Sequence, residues 1–505
     1  MVGFLPILRK NSGVSPYLPL QKNQDRIKMK LDGKRFDDVI IGAGMAGLAA
    51  GIRLAMYDRN VIILEKHNAV GGLNSFYSIE GRKYDVGLHA MTNYVPKGIK
   101  GTPLVKLLRQ LRIKREQLDL CPQSFSRISF PGVDIRFNNE WSFMESEIIQ
   151  AFPNQKDPLQ NLLKKIGEYD ALSLEGKNIP ARTVVEEIIT NPKLVDMLFC
   201  PLCYYGSARE NDMDFAQFVI LFKSIYLEGF CRPQEGVRTI TRELVNKFRS
   251  AGGTRKMKMG VSKIIEENGK ASHLILEDGS SIYADNIIST AGLVETQRMC
   301  SSLSPSSGSE NIGQLSFVET ITVLNKQPKD LGVNETIVFF NDCEKFTYAK
   351  TQELIDDRSG VICIPNNYQF GENRDLKEGL VRVTALANYE KWKALDTTRY
   401  QEEKSKAFNV LTEKTQKILP QLKQLHPKMD VIAKDMFTPL TIERFTGHLG
   451  GAVYGAPQKS RSGQTHLSNL FIAGTDQGFL GIVGAMLSGI SIANRYVLKE
   501  NGSLN

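Results

Sequence analysis

Gly42, Gly44 and Gly47 follow the short β-branched run Val39-Ile40-Ile41, and about 20 residues further on Glu65 ends a second apolar run, Val61 to Leu64. Between them Leu48, Ala49, Ala50, Ile52, Leu54 and Ala55 suit a helix that packs on a sheet. Residues of these types at this spacing can hold a pyrophosphate and a ribose. Gly42 permits a tight turn, Gly44 lets the main chain approach a phosphate with no Cβ in the way, and Gly47 lets the helix lie close to the strand. The free N–H groups around Ala43, Met45 and Ala46, with the helix dipole behind them, favour an anion. Glu65, with Lys66 beside it, can accept hydrogen bonds from ribose hydroxyls, and an acid at this point selects FAD or NAD over NADP. Gly71, Gly72, Leu73 and Asn74 come next, and then Tyr84-Asp85-Val86-Gly87-Leu88-His89. His89 is the candidate acid or hydrogen-bond donor, because an imidazole exchanges protons near neutral pH. The alternative role for His89 is to fix the turn at Asp85, and Asp85 itself is expected to hold the loop.

The far end of the chain offers a second set of backbone donors. Phe471-Ile472-Ala473-Gly474 reads as a strand ending in glycine, and Thr475-Asp476-Gln477 as a polar turn. Beyond Gly478 and Gly481, Val483 to Val497 carries small residues at Gly484, Ala485, Ser488, Gly489 and Ala493, so its helix can press against another surface. The start of that helix, near Ile482 to Ala485, would present free N–H groups to an anion or to the polar edge of a flavin ring.

Three stretches together resemble one family: GGLNSFYSIEGRKYDVGLH (Gly71 to His89), TPLTIERFTGHLGGAVYG (Thr438 to Gly455) and LFIAGTDQGFLGIVGAMLSGISIAN (Leu470 to Asn494). The chain resembles the FAD-dependent phytoene desaturase, carotenoid isomerase and retinol saturase group of the amine-oxidase-like flavoproteins, from Asp37 to Asn494. The resemblance implies an α/β fold, with a discontinuous Rossmann-like FAD-binding domain and a mixed α+β substrate domain. It also implies cofactor contacts at Val261, whose backbone would meet adenine, at Ala291, and at Gly474, Asp476, Ile482, Val483 and Met486. His448 and Tyr454 are the implied substrate-facing residues. Two positions depart from the family pattern. Leu73 stands where many desaturases have Arg after the double glycine, and Glu235-Gly236 stands where a double glycine usually precedes a helix. With LTI and VYG near the C-terminus, the first departure points to the isomerase and saturase branch.

The elements that must position these residues are interleaved along the chain, and 505 residues call for two or three domains. The expected cofactor domain comprises 37–116, 232–300 and 465–498; the substrate domain comprises 117–231, a helical insertion, and 301–464. Residues 1–36 are expected to be a poorly ordered basic extension. Val237 to Phe248 reads as a helix, Val261 to Ile265 as a strand continuing as a hairpin through Glu277-Asp278-Gly279-Ser280, and Asp285 to Thr290 as a strand. Gln314 to Cys363 and Leu380 to Tyr389 alternate as strands do, and Lys404 to Leu422 is amphipathic with a helical period.

The net charge of +9 resides largely in the first 36 residues, where eight Lys or Arg oppose Asp25 and Asp32, leaving +3 for the rest. The basic balance therefore describes an arm, and no nucleic-acid partner is expected. Such an arm suits organelle targeting or contact with anionic lipid; a second reading takes Met29 as the natural start. No stretch approaches the roughly 20 apolar residues of a spanning helix. Thr102 to Lys114 and Phe215 to Phe230 suit core-facing helices, with lying on a bilayer as the alternative, so a cytoplasmic protein with peripheral membrane contact is one expectation. Seven cysteines without framework spacing suit reduced thiols, and Cys200 and Cys203 suit a buried apolar pair; no metal site is expected. With six histidines and no GxSxG or HExxH motif, the chemistry must come from the cofactor. The expected activity is FAD-dependent desaturation, saturation or isomerisation of a long apolar isoprenoid or polyene. The alternatives are an amine or porphyrinogen oxidase, and a flavin-binding module without catalysis.

Overall fold

The computed structural model describes residues 30–87, 89–173, 178–304 and 306–499. Its first sheet has the opening strand Lys34–Ile41 at its centre, paired in parallel with Val61–Glu65 on one side and with Ser281–Ser289 on the other. Thr254–Met257 extends it beyond Val61–Glu65, and Leu470–Ile472 pairs in parallel with the second half of Ser281–Ser289. An antiparallel meander, Val261–Glu267 and Lys270–Leu276, joins the first half of that same strand. The central strands are β-branched and buried on both faces, as a covered parallel sheet requires. Alternation divides their side chains: Ile40 and Ile63 pack with the helices Met45–Ala55, Val237–Ser250 and Gly481–Ile492, while Val39, Ile41, Ile62 and Leu64 pack with the meander.

A second seven-stranded sheet runs in the order Val431–Phe437, Ser316–Leu324, Gly379–Ala387, Ile355–Cys363, Ile337–Asn341, Ser126–Phe130, Val133–Phe137. Its period of two sends Phe317, Phe339 and Val361 toward the helical insertion, where Phe199, Phe215, Phe218, Phe222 and Tyr226 form an aromatic core. Val338, Phe340 and Ile362 point the other way, onto Trp392 and the helix Thr397–Ile418.

Several expectations need correction. Residues 30–36 belong to the fold: Lys34 to Phe36 pair with Ile282 to Ala284 because the partner strand is long enough to extend the ladder, and Leu31 is buried. The remainder of the expected extension, 1–29, lies outside the described residues. The strand that begins at Val261 turns back at Asn268-Gly269, both with positive φ as the tight turn of a hairpin demands, before reaching the turn at 277–280. The amphipathic helix starts earlier, at an Asp396 side chain that accepts from the Arg399 N–H at 2.9 Å, and ends before Pro420. The two segments considered for a bilayer bury their apolar faces in protein: Leu104, Leu107, Leu108 and Leu111 in the first core, and Phe215, Phe218, Val219 and Phe222 in the aromatic one. Among the described residues one helix, Gly481–Leu498, is long and apolar enough to cross a membrane by length and composition. In this fold it packs on Met45–Ala55. All seven cysteines are free, with Cys200 and Cys203 fully buried.

Candidate functional site

The three fingerprint glycines serve different ends. Gly42, at φ 101°, donates its N–H to the Leu64 carbonyl at 2.8 Å, and a Cβ there would lie 2.5 Å from Thr290 Oγ1. A Cβ on Gly47 would lie 2.1 Å from the Gly42 carbonyl, so this glycine lets the helix approach the strand. A Cβ on Gly44 meets nothing within 4 Å. Gly44 also begins the helix Met45–Ala55, which has no side-chain cap at its N-terminus. Glu65 is fixed beside this turn, accepting the Ala43 N–H at 2.8 Å on one oxygen and the His67 N–H at 2.8 Å on the other.

The C-terminal segment closes the opposite side. Leu470–Ile472 delivers the chain to Gly474, at φ 93°, where a Cβ would sit 3.4 Å from that of Ala46. Ser488 Oγ accepts the Gly474 N–H at 2.6 Å and so ties the turn to the last helix. The space between the two segments is one cavity holding about 1480 Å³ of empty volume, part of it open to solvent. Gly44 to Ala46 and Gly71 to Asn74 line one wall, Gly474 to Asp476 and Gly481 to Ile482 another. Tyr204 and Tyr205 from the insertion, Phe317, Val361 and Phe437 from the second sheet, and Tyr454 from the segment before Leu470–Ile472 complete an apolar end. His448 Nδ1 is buried in the cavity wall without a hydrogen-bond partner among the described residues. Open backbone at Gly44, uncapped donors behind it and an orphaned nitrogen deeper in the wall suit a dinucleotide whose ring system is apolar on its faces and polar at one edge.

A buried polar cluster borders the apolar end. His89 Nε2 lies 3.3 Å from Glu319 Oε2 and 3.1 Å from Thr384 Oγ1, and all three residues line the cavity. Glu319 also pairs with Arg382, whose guanidinium donates at 2.9 Å to the carbonyls of both Asp85 and Val86. Burial opposes ionisation of Glu319, but Arg382 and then His89 outweigh it, and the carboxyl is held below its usual range. Asp85 accepts from Arg232 at 2.5 Å and from the Val237 N–H at 3.3 Å; a Cβ on Gly236 would strike it. Asp85 thus holds the start of the helix Val237–Ser250, and Gly236 alone provides the turn for which a double glycine is usual.

A family model for flavin-containing amine oxidoreductases matches residues 45–326, more than half of the chain. The chain belongs to that family. Its cofactor is FAD, and it is an FAD-dependent oxidoreductase of the amine-oxidase type. A chloroplastic prolycopene isomerase of an Oncidium hybrid cultivar is 23% identical over 527 aligned residues, covering 92% of this chain and 84% of that protein. The all-trans-retinol 13,14-reductase of Danio rerio is 23% identical, covering 93% and 88%. The crystal structure of an oxidoreductase from Methanosarcina mazei superposes with a TM-score of 0.60 at 18% identity, covering 91% of this chain and all of that one.

Within this flavoprotein fold, Gly44, Met45, Ala46, Gly71, Gly72, Leu73, Asn74, His89, Gly474, Asp476, Ile482, His448 and Tyr454 all line this cavity. Other expected contacts stand behind it. Gly42, Ala43, Gly47 and Glu65 shape the turn. Val483 and Met486 face inward from the last helix, into the core shared with Met45–Ala55. Val261 pairs with Leu276, and Ala291 packs on the meander core while its neighbours Thr290 and Gly292 reach the cavity. Lys66 points into an adjacent cavity with His67 and Phe445. The Asp476 carboxylate accepts the Leu293 N–H at 2.6 Å and the Ala456 N–H at 2.8 Å, with the Lys459 ammonium 3.4 Å away. It ties three segments together at the cavity edge. Tyr454 donates its hydroxyl to the Tyr204 carbonyl and shows the cavity only its ring. Of the lining residues, Tyr204, Tyr205, Phe317, Glu319, Val361 and Thr384 carried no individual mark in the sequence: four lie on strands that merely alternate, and Tyr204 and Tyr205 lie on the helix Pro192–Gly206.

Proposed function

We propose that this flavoprotein acts on the C=C or C–C bonds of a long apolar isoprenoid or polyene, in the manner of the carotenoid isomerases and retinol saturases it resembles. The observation that carries the reading is the composition of the cavity: a backbone cradle at one end and, at the other, an aromatic and aliphatic enclosure whose polar side chains gather at His89, Glu319 and Thr384. Bound FAD supplies hydride-equivalent chemistry at the ring, which an unactivated polyene needs. Backbone N–H groups at Gly44, Met45 and Ala46 would hold its pyrophosphate, and Glu65 would accept from its ribose hydroxyls. Gly71 to Asn74, Gly474 and Ile482 would border the ring, with His448 Nδ1 available to its polar edge. Tyr204, Phe317, Val361 and Leu480 exclude water and hold the reacting carbons in place. A carboxylate at Glu319 can only accept from His89 Nε2, which orients the imidazole beside the apolar end and makes His89 the candidate acid or hydrogen-bond donor there. The aromatic pair Phe317 and Tyr454 meets edge-on at 78° and forms no face-to-face sandwich around a small amine.

The test is anaerobic: oxidised and dithionite-reduced holoenzyme is mixed with poly-cis carotenes or retinol, the flavin spectrum is followed, and products are separated. Turnover of a polyene with either flavin state supports the reading. A spectrum indifferent to every polyene, with oxidation of amines instead, would sink it. His89→Gln is expected to keep its flavin and lose about 10²-fold or more in turnover; unchanged turnover would leave His89 only the turn-fixing role.

A further inference from the structure

We propose that Glu266, Cys300 and His466 form a binding site for a divalent transition-metal ion of the zinc type, separate from the flavin cavity. The three residues are far apart in sequence, on the strand Val261–Glu267, just beyond the helix Leu293–Met299, and in the segment leading to Leu470–Ile472. The fold brings one ligand atom from each to within 4.8 Å of the others. His466 Nε2 is already 3.1 Å from Glu266 Oε2. Thiolate, imidazole and carboxylate are the donors zinc prefers, at bond lengths of about 2.0–2.3 Å, so a modest inward movement completes the set.

The surroundings are those of a prepared site. Glu266 is oriented by Ser302, whose N–H donates at 3.1 Å and whose hydroxyl donates at 2.6 Å, the kind of outer support that ligating carboxylates use. Cys300 is held by the backbone: the Ser301 N–H donates to the Ile264 carbonyl at 2.9 Å, and Cys300 bridges Ile264. The His466 side chain is 39% exposed, which gives an ion a way in and leaves the fourth position for water. Binding is a substitution with no redox step: the Cys300 S–H bond is replaced by a sulfur–metal bond, and one proton leaves to solvent. The ion would clip the segment that delivers Gly474 and Asp476 to the cavity onto the meander behind it.

The FAD-loaded full chain, treated with a chelator and desalted, is titrated with Zn2+ by calorimetry in buffers of differing ionisation enthalpy, and the zinc-loaded protein is examined by X-ray absorption at the zinc edge. The expected result is one ion per chain, one proton released, and a shell of one sulfur with nitrogen or oxygen. Cys300→Ala and His466→Ala should each lower affinity at least roughly 100-fold while flavin content and melting temperature of the metal-free protein hold. His466 is exposed, so its variant keeps the proposal testable if Cys300→Ala misfolds. A shell without sulfur, undiminished affinity in His466→Ala, or no binding above that of free histidine would overturn the site.

Discussion

Gly44 and Gly47 stand three residues apart in one turn, yet substitutions at them should fail for opposite reasons. A side chain at Gly44 enters open space, and the backbone there has φ −73°, which any residue accepts. Gly44→Val is therefore expected to fold with a melting temperature close to the parent while binding FAD at least about tenfold more weakly, because the new methyl groups occupy the phosphate position. At Gly47 the collision is with main chain, 2.1 Å from the Gly42 carbonyl. Gly47→Val should destabilise the apoprotein itself by about 1–3 kcal/mol or more, seen as an earlier urea midpoint. Flavin-to-protein absorbance ratios measured beside those melts separate the two mechanisms. Equal loss of stability in both variants would show that the open volume at Gly44 is not real.

Among the elements, the first and last helices form the joint that unites the ends of the chain. Gly489 backs onto Met45–Ala55 so closely that a Cβ would sit 2.1 Å from the Ala46 carbonyl, and the same helix reaches the Gly474 turn through Ser488. Gly489→Leu should push the helices apart, with loss of stability and of bound flavin together, since Ala46 and Gly474 face each other across the cradle. Ser488→Ala removes the acceptor for the Gly474 N–H and the hydroxyl that donates to Gln477 Oε1, a cost of about 1–3 kcal/mol. Its effect should fall on flavin affinity and on hydrogen exchange in 474–478. Uniform exchange throughout the chain in that variant would show that the turn is not held locally.

For the molecule as a whole, the buried charges near His89 connect the two sheets. Asp85 reaches Arg232 and the helix Val237–Ser250 on the cofactor side, while Arg382 binds the carbonyls at Asp85 and Val86 and pairs with Glu319 inside the second sheet. Removing one partner from such a buried pair costs about 3–5 kcal/mol, so Glu319→Gln should be strongly destabilised at pH 7. The sign of its pH dependence follows from the folded carboxyl lying below its unfolded value of 4.5. The stabilisation is fully present above that value and is lost as pH falls through the lower, folded one. The gap in stability between parent and Glu319→Gln should therefore be constant from neutral pH down to about pH 5 and narrow below pH 4.5. Urea unfolding across that range measures it, and a gap that widens toward acid would refute the assignment.

The strand, glycine turn, helix and acid from Val39 to Glu65 and the closing segment from Phe471 to Val497 were legible in the sequence, because each is a local pattern written in consecutive residues: β-branched runs, glycines where no Cβ fits, and small residues along one helix face. The family and its FAD follow from those two patterns. The alternation of the second sheet was equally local, though which of its strands pair was not, and no short-range signal marked Tyr204, Phe317, Glu319 or Thr384 as neighbours of His89. Such neighbours arise from strand registers between segments far apart along the chain, such as Phe317 against Leu386 and Ile337 against Ser126. Tertiary packing likewise turned Lys66 away from the cavity, placed Val483 and Met486 in the core, spent the Asp476 carboxylate on backbone N–H groups, and gathered Glu266, Cys300 and His466. Local sequence determines what backbone a segment can adopt; which side chains share a cavity depends on how remote segments bury one another's surfaces, and only the folded chain decides that.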